Sequence, residues 1–196
     1  MQQSARTIPS GIDHGCNGAF GVRVGYNSGM PNEPKNNAFS APKQDLRTAF
    51  GQFTTGVCIV SAPATDETDA FAITVNSFAT VSLEPPLISW CVQKDSTSYA
   101  LWMKSREFAV SILSSSQGSL CHHFAIRGNH IIEPDQPFEL ASNGNPHVVE
   151  ALANFDCRVK KMHDAGDHTL IVAEVVDFQS ASTQEPLIYF RGDIRA

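Results

Sequence analysis

The chain has 196 residues, 42% hydrophobic and 17% charged, which fits one domain of about 150 residues plus an appendage better than two independent domains. Lys and Arg number 14 against 20 Asp and Glu, a formal net charge of -6, so neither nucleic acid nor an anionic membrane is an expected partner. No apolar run approaches the roughly 18 residues of a membrane span and the N-terminus lacks the order of a signal peptide, so a cytoplasmic protein is expected.

Residues 1–41 carry Gly11, Gly15, Gly18, Gly21, Gly25 and Gly29 with Pro31 and Pro34. Such a composition cannot bury enough apolar surface to offset ordering entropy, and it reads as a flexible extension ahead of a domain over 42–196. No apolar strand precedes its Gly-x-x-Gly spacings, so a phosphate loop is not expected there.

Order begins near Pro42, where PKQDLRTAFGQF places Leu46, Phe50 and Phe53 at helical spacing behind a proline suited to a first turn, with Gly51 or Gly56 ending the helix. The pattern then turns β-branched and aromatic: 56–62, 70–83, 86–93 and 107–114 read as strands. Two short helices, 96–105 and 115–125, each open on Ser or Thr and are expected to pack against the sheet. A polar, proline-punctuated excursion covers 127–146, and 148–153 reads as a short turn or strand. In 154–162, Phe155, Cys157, Val159 and Lys161 alternate with Asp156, Arg158, Lys160 and Met162, the mark of a strand with one buried face. HDAGDH (163–168) supplies a turn into a second strand over 169–178, and PLIYF (186–190) closes the set. The fold class is therefore mainly β with short helices, read as a closed antiparallel barrel rather than a doubly wound sheet.

Chemistry-bearing residues cluster in few places. ITVNSFATVSLEPPLISWCV (73–92) presents Thr74, Asn76 and Thr80 on one parity and Val75, Ser77, Ala79 and Val81 on the other. Such a strand can offer donors and acceptors to a flat heterocycle while small neighbours let the ring approach, or its polar side can simply face water. Lys94, Ser96 and Thr97 lie between a strand end and a helix start, where they form either a phosphate site or an ordinary cap. Gly166, Asp167 and His168 sit at the hairpin turn. Cys121, His122 and His123 are adjacent, so on a helix they point apart and no metal site is expected. The cysteines (Cys16, Cys58, Cys91, Cys121, Cys157) are odd in number and scattered, which points to reduced thiols rather than a disulfide framework.

Taken together, LRTAFGQFTTGVCIV (46–60), TVNSFATVSLEPPLISWCV (74–92), KDSTS (94–98), FAVSILSSSQ (108–117), AGDHTLIVAEV (165–175) and PLIYFRG (186–192) resemble the short-chain NAD(P)H:flavin oxidoreductases, which have an FMN-binding split barrel and supply reduced flavin to two-component monooxygenases. The likeness runs from about Leu46 to Gly192. It implies that Thr54, Thr55 and Gly56, with Asn76, Ser77 and Phe78, line the flavin ring, and that Thr80 belongs to the same cofactor-binding set. It further implies that Lys94, Ser96 and Thr97 hold the phosphate, that Gly166 and Asp167 present the nicotinamide site, and that His168 acts as the catalytic, positioning contact to the nicotinamide. The implied reaction is hydride transfer from nicotinamide C4 to flavin N5, which the cofactors carry without a protein nucleophile or a metal. FMN and FAD, and NADH and NADPH, all remain open. A homodimer with a monooxygenase partner is the implied assembly. The alternatives are a flavin-binding or electron-carrying protein without turnover, and a specialised flavin-dependent biosynthetic enzyme on the same barrel.

Overall fold

Twelve strands and three α-helices fill residues 42–180 and 183–195, which the computed structural model describes. The extension expected over 1–41 lies outside these residues. Pro42, with φ −55°, starts α1 (Lys43–Phe50), and Gly51 ends it. The apolar spacing of α1 is not matched by a buried face: none of its residues is buried, and Phe50 and Phe53 are 69% and 77% exposed.

The short β1 (Thr55–Gly56) leads into β2 (Cys58–Ala62), which is buried along its whole length. The stretch 70–83 is not continuous: β3 (Phe71–Val75) and β4 (Ala79–Leu83) are separated by Asn76, Ser77 and Phe78. Next come β5 (Pro86–Gln93), α2 (Tyr99–Lys104) and β6 (Glu107–Ile112). Helix α2 starts three residues later than expected because Ser96 and Ser98 serve other partners: Tyr99 N–H donates to the Ser96 carbonyl (3.1 Å), and the Ser98 hydroxyl accepts from Trp102 Nε1 (3.2 Å). A 3₁₀ turn (Ser115–Gln117) precedes α3 (Gly118–Ala125), closed by a capping box between Ser114 and Gln117.

The polar excursion contains a small hairpin absent from the sequence reading, β7 (Phe138–Leu140) with β8 (Pro146–Val148). Strands β9 (Ala153–Ala165) and β10 (His168–Ser180) extend further than expected, leaving only Gly166 and Asp167 as the turn. Gly166 takes φ 69°, the left-handed geometry that a two-residue hairpin requires. Finally β11 (Ile188–Phe190) and β12 (Asp193–Arg195) join β1 in a separate three-stranded sheet.

The main sheet is antiparallel with order β3-β2-β6-β9-β10-β5-β4, so β3 and β4, adjacent in sequence, occupy opposite edges. Laid flat, seven strands would hold their edges about 29 Å apart at about 4.8 Å per spacing. The four Cα steps from Val75 to Ala79 reach at most about 15 Å. The sheet therefore curls until its edges approach, helped by irregularities in β10 at Val172/Ala173 and Val175/Asp177. Among the described residues no backbone ladder joins β3 to β4. Instead the Ser77 hydroxyl accepts from the Cys91 N–H (3.0 Å) and donates to the Cys91 carbonyl (3.4 Å), tying the link to β5 just beyond the end of β4.

The concave interior is filled by Phe71, Trp90, Trp102 and Phe108, with Trp102 meeting Phe71 and Trp90 edge-on at 4.7 and 5.0 Å. A second cluster around Ile59, Leu113, Leu120, Phe124 and Leu187 seats α3 against the other face. Asp156, expected on the solvent side of its strand, is instead only 3% exposed. It accepts from Asn145 Nδ2 (2.7 Å) and meets His147 Nε2 (3.2 Å), because the β7–β8 hairpin covers that side.

Candidate functional site

Three adjoining clefts open where the sheet edges meet the small sheet. The largest, about 800 Å³, lies between α1 and the β11–β12 turn and reaches Thr55, Asn76 and Gln93. A second, about 240 Å³, runs from Gln93 to Ser96, Thr97 and Arg127. The third, about 210 Å³, lies under Asn76 between Thr74 and Tyr189. Gln93 is common to the first two clefts, and Asn76 and Tyr189 are common to the first and third, so they form one branched groove.

The chain's own atoms suit a flat heteroaromatic ring there. Among the described residues Thr55 Oγ1 is shielded from solvent and has no hydrogen-bond partner, the condition of a hydroxyl that awaits one. Beside it, a Cβ placed on Gly56 would meet nothing within 4 Å, so the strand has an open flank. Thr54 is exposed one residue before, and Asn76 leaves β3 with its amide exposed. Thr74 is not available in the same way, since its hydroxyl donates to the Cys121 carbonyl at 2.8 Å.

Other expected residues are placed differently. Ser77 is engaged with Cys91, as above. Phe78 lines none of the three clefts and stacks on Phe155 (6.1 Å between ring centres), which in turn stacks on Phe178 (6.3 Å). Thr80 is exposed on β4 opposite Ile88, also outside the clefts. Lys94 does not stand unpaired: its ammonium donates to Asp164 Oδ2 (3.0 Å) and the Gly166 carbonyl (2.6 Å). Its own N–H donates to the Asp167 carbonyl (2.9 Å). Lys94 thus holds the β9–β10 turn against the end of β5, and its hydrogen bond and charge keep the Asp164 carboxyl below the ordinary range.

That turn carries His168, half-buried and paired across the sheet with Gln93. His168 Nδ1 is 2.7 Å from Asp167 Oδ1, and this hydrogen bond holds the Asp167 carboxyl below its usual range. The turn therefore adjoins the groove at Gln93. Gln93, Tyr189, Arg47 and Gln52 were not expected as site residues. Gln93 could have been read as the polar end of an otherwise apolar strand, whereas the others come together only through the small sheet.

A further cleft of about 640 Å³ lies at the Ala62–Phe71 end of the sheet, away from these residues and lined by charges of both signs. Among the described residues no group of three or more His, Cys, Asp or Glu could hold a metal ion. Burial pushes the Cys58 and Cys157 thiols up to about 12, Asp156 adding to the second, so neither is a thiolate near neutrality.

Residues 50–196 match the flavin reductase like domain. The chain belongs to that family. This flavin reductase-like chain is 40% identical over 147 residues to the FMN reductase (NADH) of Agrobacterium fabrum, covering 75% of this chain and 82% of the relative. It is 34% identical over 151 residues to the reductase subunit of a flavin-dependent monooxygenase of Rhodococcus jostii, covering 75% and 74%. Its fold matches the NADH:FAD oxidoreductase of Streptomyces globisporus solved with NAD and FAD fragments, with TM-score 0.72, 31% identity and coverage of 79% and 92%.

Proposed function

We propose that this chain is an NAD(P)H-dependent flavin reductase that supplies reduced FMN or FAD to a monooxygenase component, with NADH the hydride source named for its relatives. The observation that carries this reading is the branched groove with an orphaned Thr55 hydroxyl and an open Gly56 flank beside the Gly-Asp-His turn. When both cofactors are bound, the nicotinamide supplies a hydride and the flavin accepts it, so the protein need provide neither nucleophile nor metal.

The chain's residues bind and orient. Thr54, Thr55 and Asn76 hold the edge of the flavin ring, and Gly56 lets it approach the strand. Ser96 and Thr97 offer hydroxyls to the flavin phosphate. Lys94 fixes the β9–β10 turn and lends positive charge nearby. Asp167 holds His168 through Nδ1 and leaves Nε2 for the nicotinamide carboxamide, making His168 a positioning contact. Ser77 and Phe78 act through the link they fix, Ser77 against β5 and Phe78 against Phe155.

The three-residue connection between the edge strands supports closure of the sheet into a split barrel. The exposed apolar side chains of Val81, Leu83, Val176 and Phe178 support a homodimer, since association would remove them from water. No described helix is long and apolar enough to cross a membrane, and the cytoplasm is the compartment that fits NADH-linked chemistry with free thiols. Flavin titration followed by quenching of flavin fluorescence tests the site: Thr55→Val should weaken FMN binding about tenfold through one lost hydrogen bond in a shielded site. Unchanged affinity would remove Thr55 from the flavin edge.

A further inference from the structure

The β11–β12 turn holds an arginine where its backbone does not favour one. Phe190 pairs with Asp193, so Arg191 and Gly192 form a two-residue hairpin loop, with φ 55° and 85°. Positive φ at both positions is the geometry that favours Asn-Gly, Asp-Gly or Gly-Gly, and a long side chain in the first position carries strain. That strain is unexplained by the turn itself.

The side chain is nevertheless held in place. Arg191 Nε donates to Gln52 Oε1 (3.0 Å), its guanidinium lies 4.9 Å from the Phe190 ring centre, and its N–H donates to the Gly51 carbonyl (2.9 Å). A Cβ on Gly51 would come within 3.3 Å of the Arg191 Cα, so the end of α1 and this turn are in direct contact. Arg47 lines the same cleft from α1. Although the chain is net negative, the described residues that line this 800 Å³ cleft include two arginines and no Asp or Glu. Among the described residues neither guanidinium is paired with a carboxylate, whereas Arg127 at the second cleft faces Asp95 at 3.5 Å. The exposed rings of Phe50 and Phe53 add stacking surface at the mouth.

We propose that Arg191, with Arg47, receives the diphosphate of the nicotinamide dinucleotide in this cleft. Cationic, acid-free walls with exposed phenyl rings fit a dianion flanked by two aromatic bases. The dinucleotide is favoured over the flavin phosphate by position. Gln93 joins this cleft to the Gly166–Asp167–His168 turn through its pairing with His168. On the reductase reading, Ser96 and Thr97, which line the second cleft on the other side of Gln93, take the flavin phosphate. This assignment rests on the flavin reductase reading and adds to it the residues that seat the hydride donor.

The test is calorimetric titration of the full chain, in the presence of FMN, with NAD+ as probe, and separate titration with FMN. Arg191→Asn suits the purpose because asparagine is favoured at this turn position, so the fold is kept while the cation is removed; a thermal melt checks this. Arg47→Gln, on a helix with no buried residue, is the second variant. Each variant should lose NAD+ affinity by about tenfold, the effect of one charge-assisted contact, with FMN affinity within about twofold of the original. Arg191→Lys should retain part of the loss. NAD+ affinity unchanged in both variants overturns the proposal, as does a loss confined to FMN, which would make the cleft a flavin phosphate site. Wild-type turnover with unaltered NAD+ binding in the variants overturns this assignment and leaves the reductase reading standing. Arginine-dependent NAD+ binding without any flavin-linked NADH oxidation does the reverse.

Discussion

Substitution of Ser77 by alanine separates a hydroxyl that serves the fold from one that serves a ligand. Ser77 Oγ accepts from Cys91 N–H at 3.0 Å and donates back to its carbonyl at 3.4 Å. The first is a well-formed bond and the second a long one. Ser77 is exposed and water can replace part of what is lost, so the expected cost is about 1 kcal/mol, in the middle of the range for one net hydrogen bond. For a domain of roughly 150 residues, with an unfolding entropy of about 2.1 cal/mol/K per residue, this corresponds to a fall in Tm of about 3 °C. Ser77→Thr keeps the hydroxyl and should stay within about 1 °C of the original. Thermal unfolding of the flavin-free protein by circular dichroism reads both values. An unchanged Tm for Ser77→Ala, together with a large loss of FMN affinity, would refute the reasoning and place the hydroxyl on the ligand.

Trp102 is 1% exposed, wedged between Phe71 and Trp90 and bonded to Ser98, so Trp102→Ala should cost about 3–5 kcal/mol in urea unfolding; a loss below about 1 kcal/mol would contradict its place at the centre of the core. The Asp164 carboxyl is lowered by Lys94, so this pair stabilises the fold above the unfolded carboxyl value of about 3.9 and loses that contribution as pH falls through the lower folded value. Lys94→Met should therefore flatten the decline in urea midpoint between about pH 5 and pH 3, the window set by that carboxyl, and an unaltered acid limb would show that the pair contributes nothing. His168→Ala should raise the NADH KM more than it weakens flavin binding. Equal losses in the two would assign His168 to the fold.

Much of the scaffold was legible because its signals are local. The β-branched runs of β2, β5 and β6, the Gly166 turn between β9 and β10, and the Ser-rich entry to α3 each follow from neighbours in sequence. The juxtaposition of Thr55, Asn76, Ser96 and Thr97 was legible only through resemblance, since nothing in their spacing brings them to one groove. What escaped reading depends on distant pairing. The division of 70–83 into two strands reflects the curl that sends β3 and β4 to opposite edges, with Asn76 and Ser77 leaving the ladder between them. Asp156 keeps the parity of an outward residue and is buried only because the β7–β8 hairpin arrives over it. Lys94 has the sequence context of a phosphate ligand, yet the β9–β10 turn, far along the chain, takes its ammonium. Arg191 matters only beside Gly51 and Gln52, a contact made by the small sheet.

Anaerobic oxidation of NADH by the purified full chain, followed at the nicotinamide absorbance with and without added FMN or FAD, is the most direct test of flavin reduction. The expected result is flavin-dependent consumption of NADH with stoichiometric bleaching of the flavin. Flavin that binds in the groove while NADH stays unconsumed would contradict reductase activity and leave a flavin carrier on the same fold.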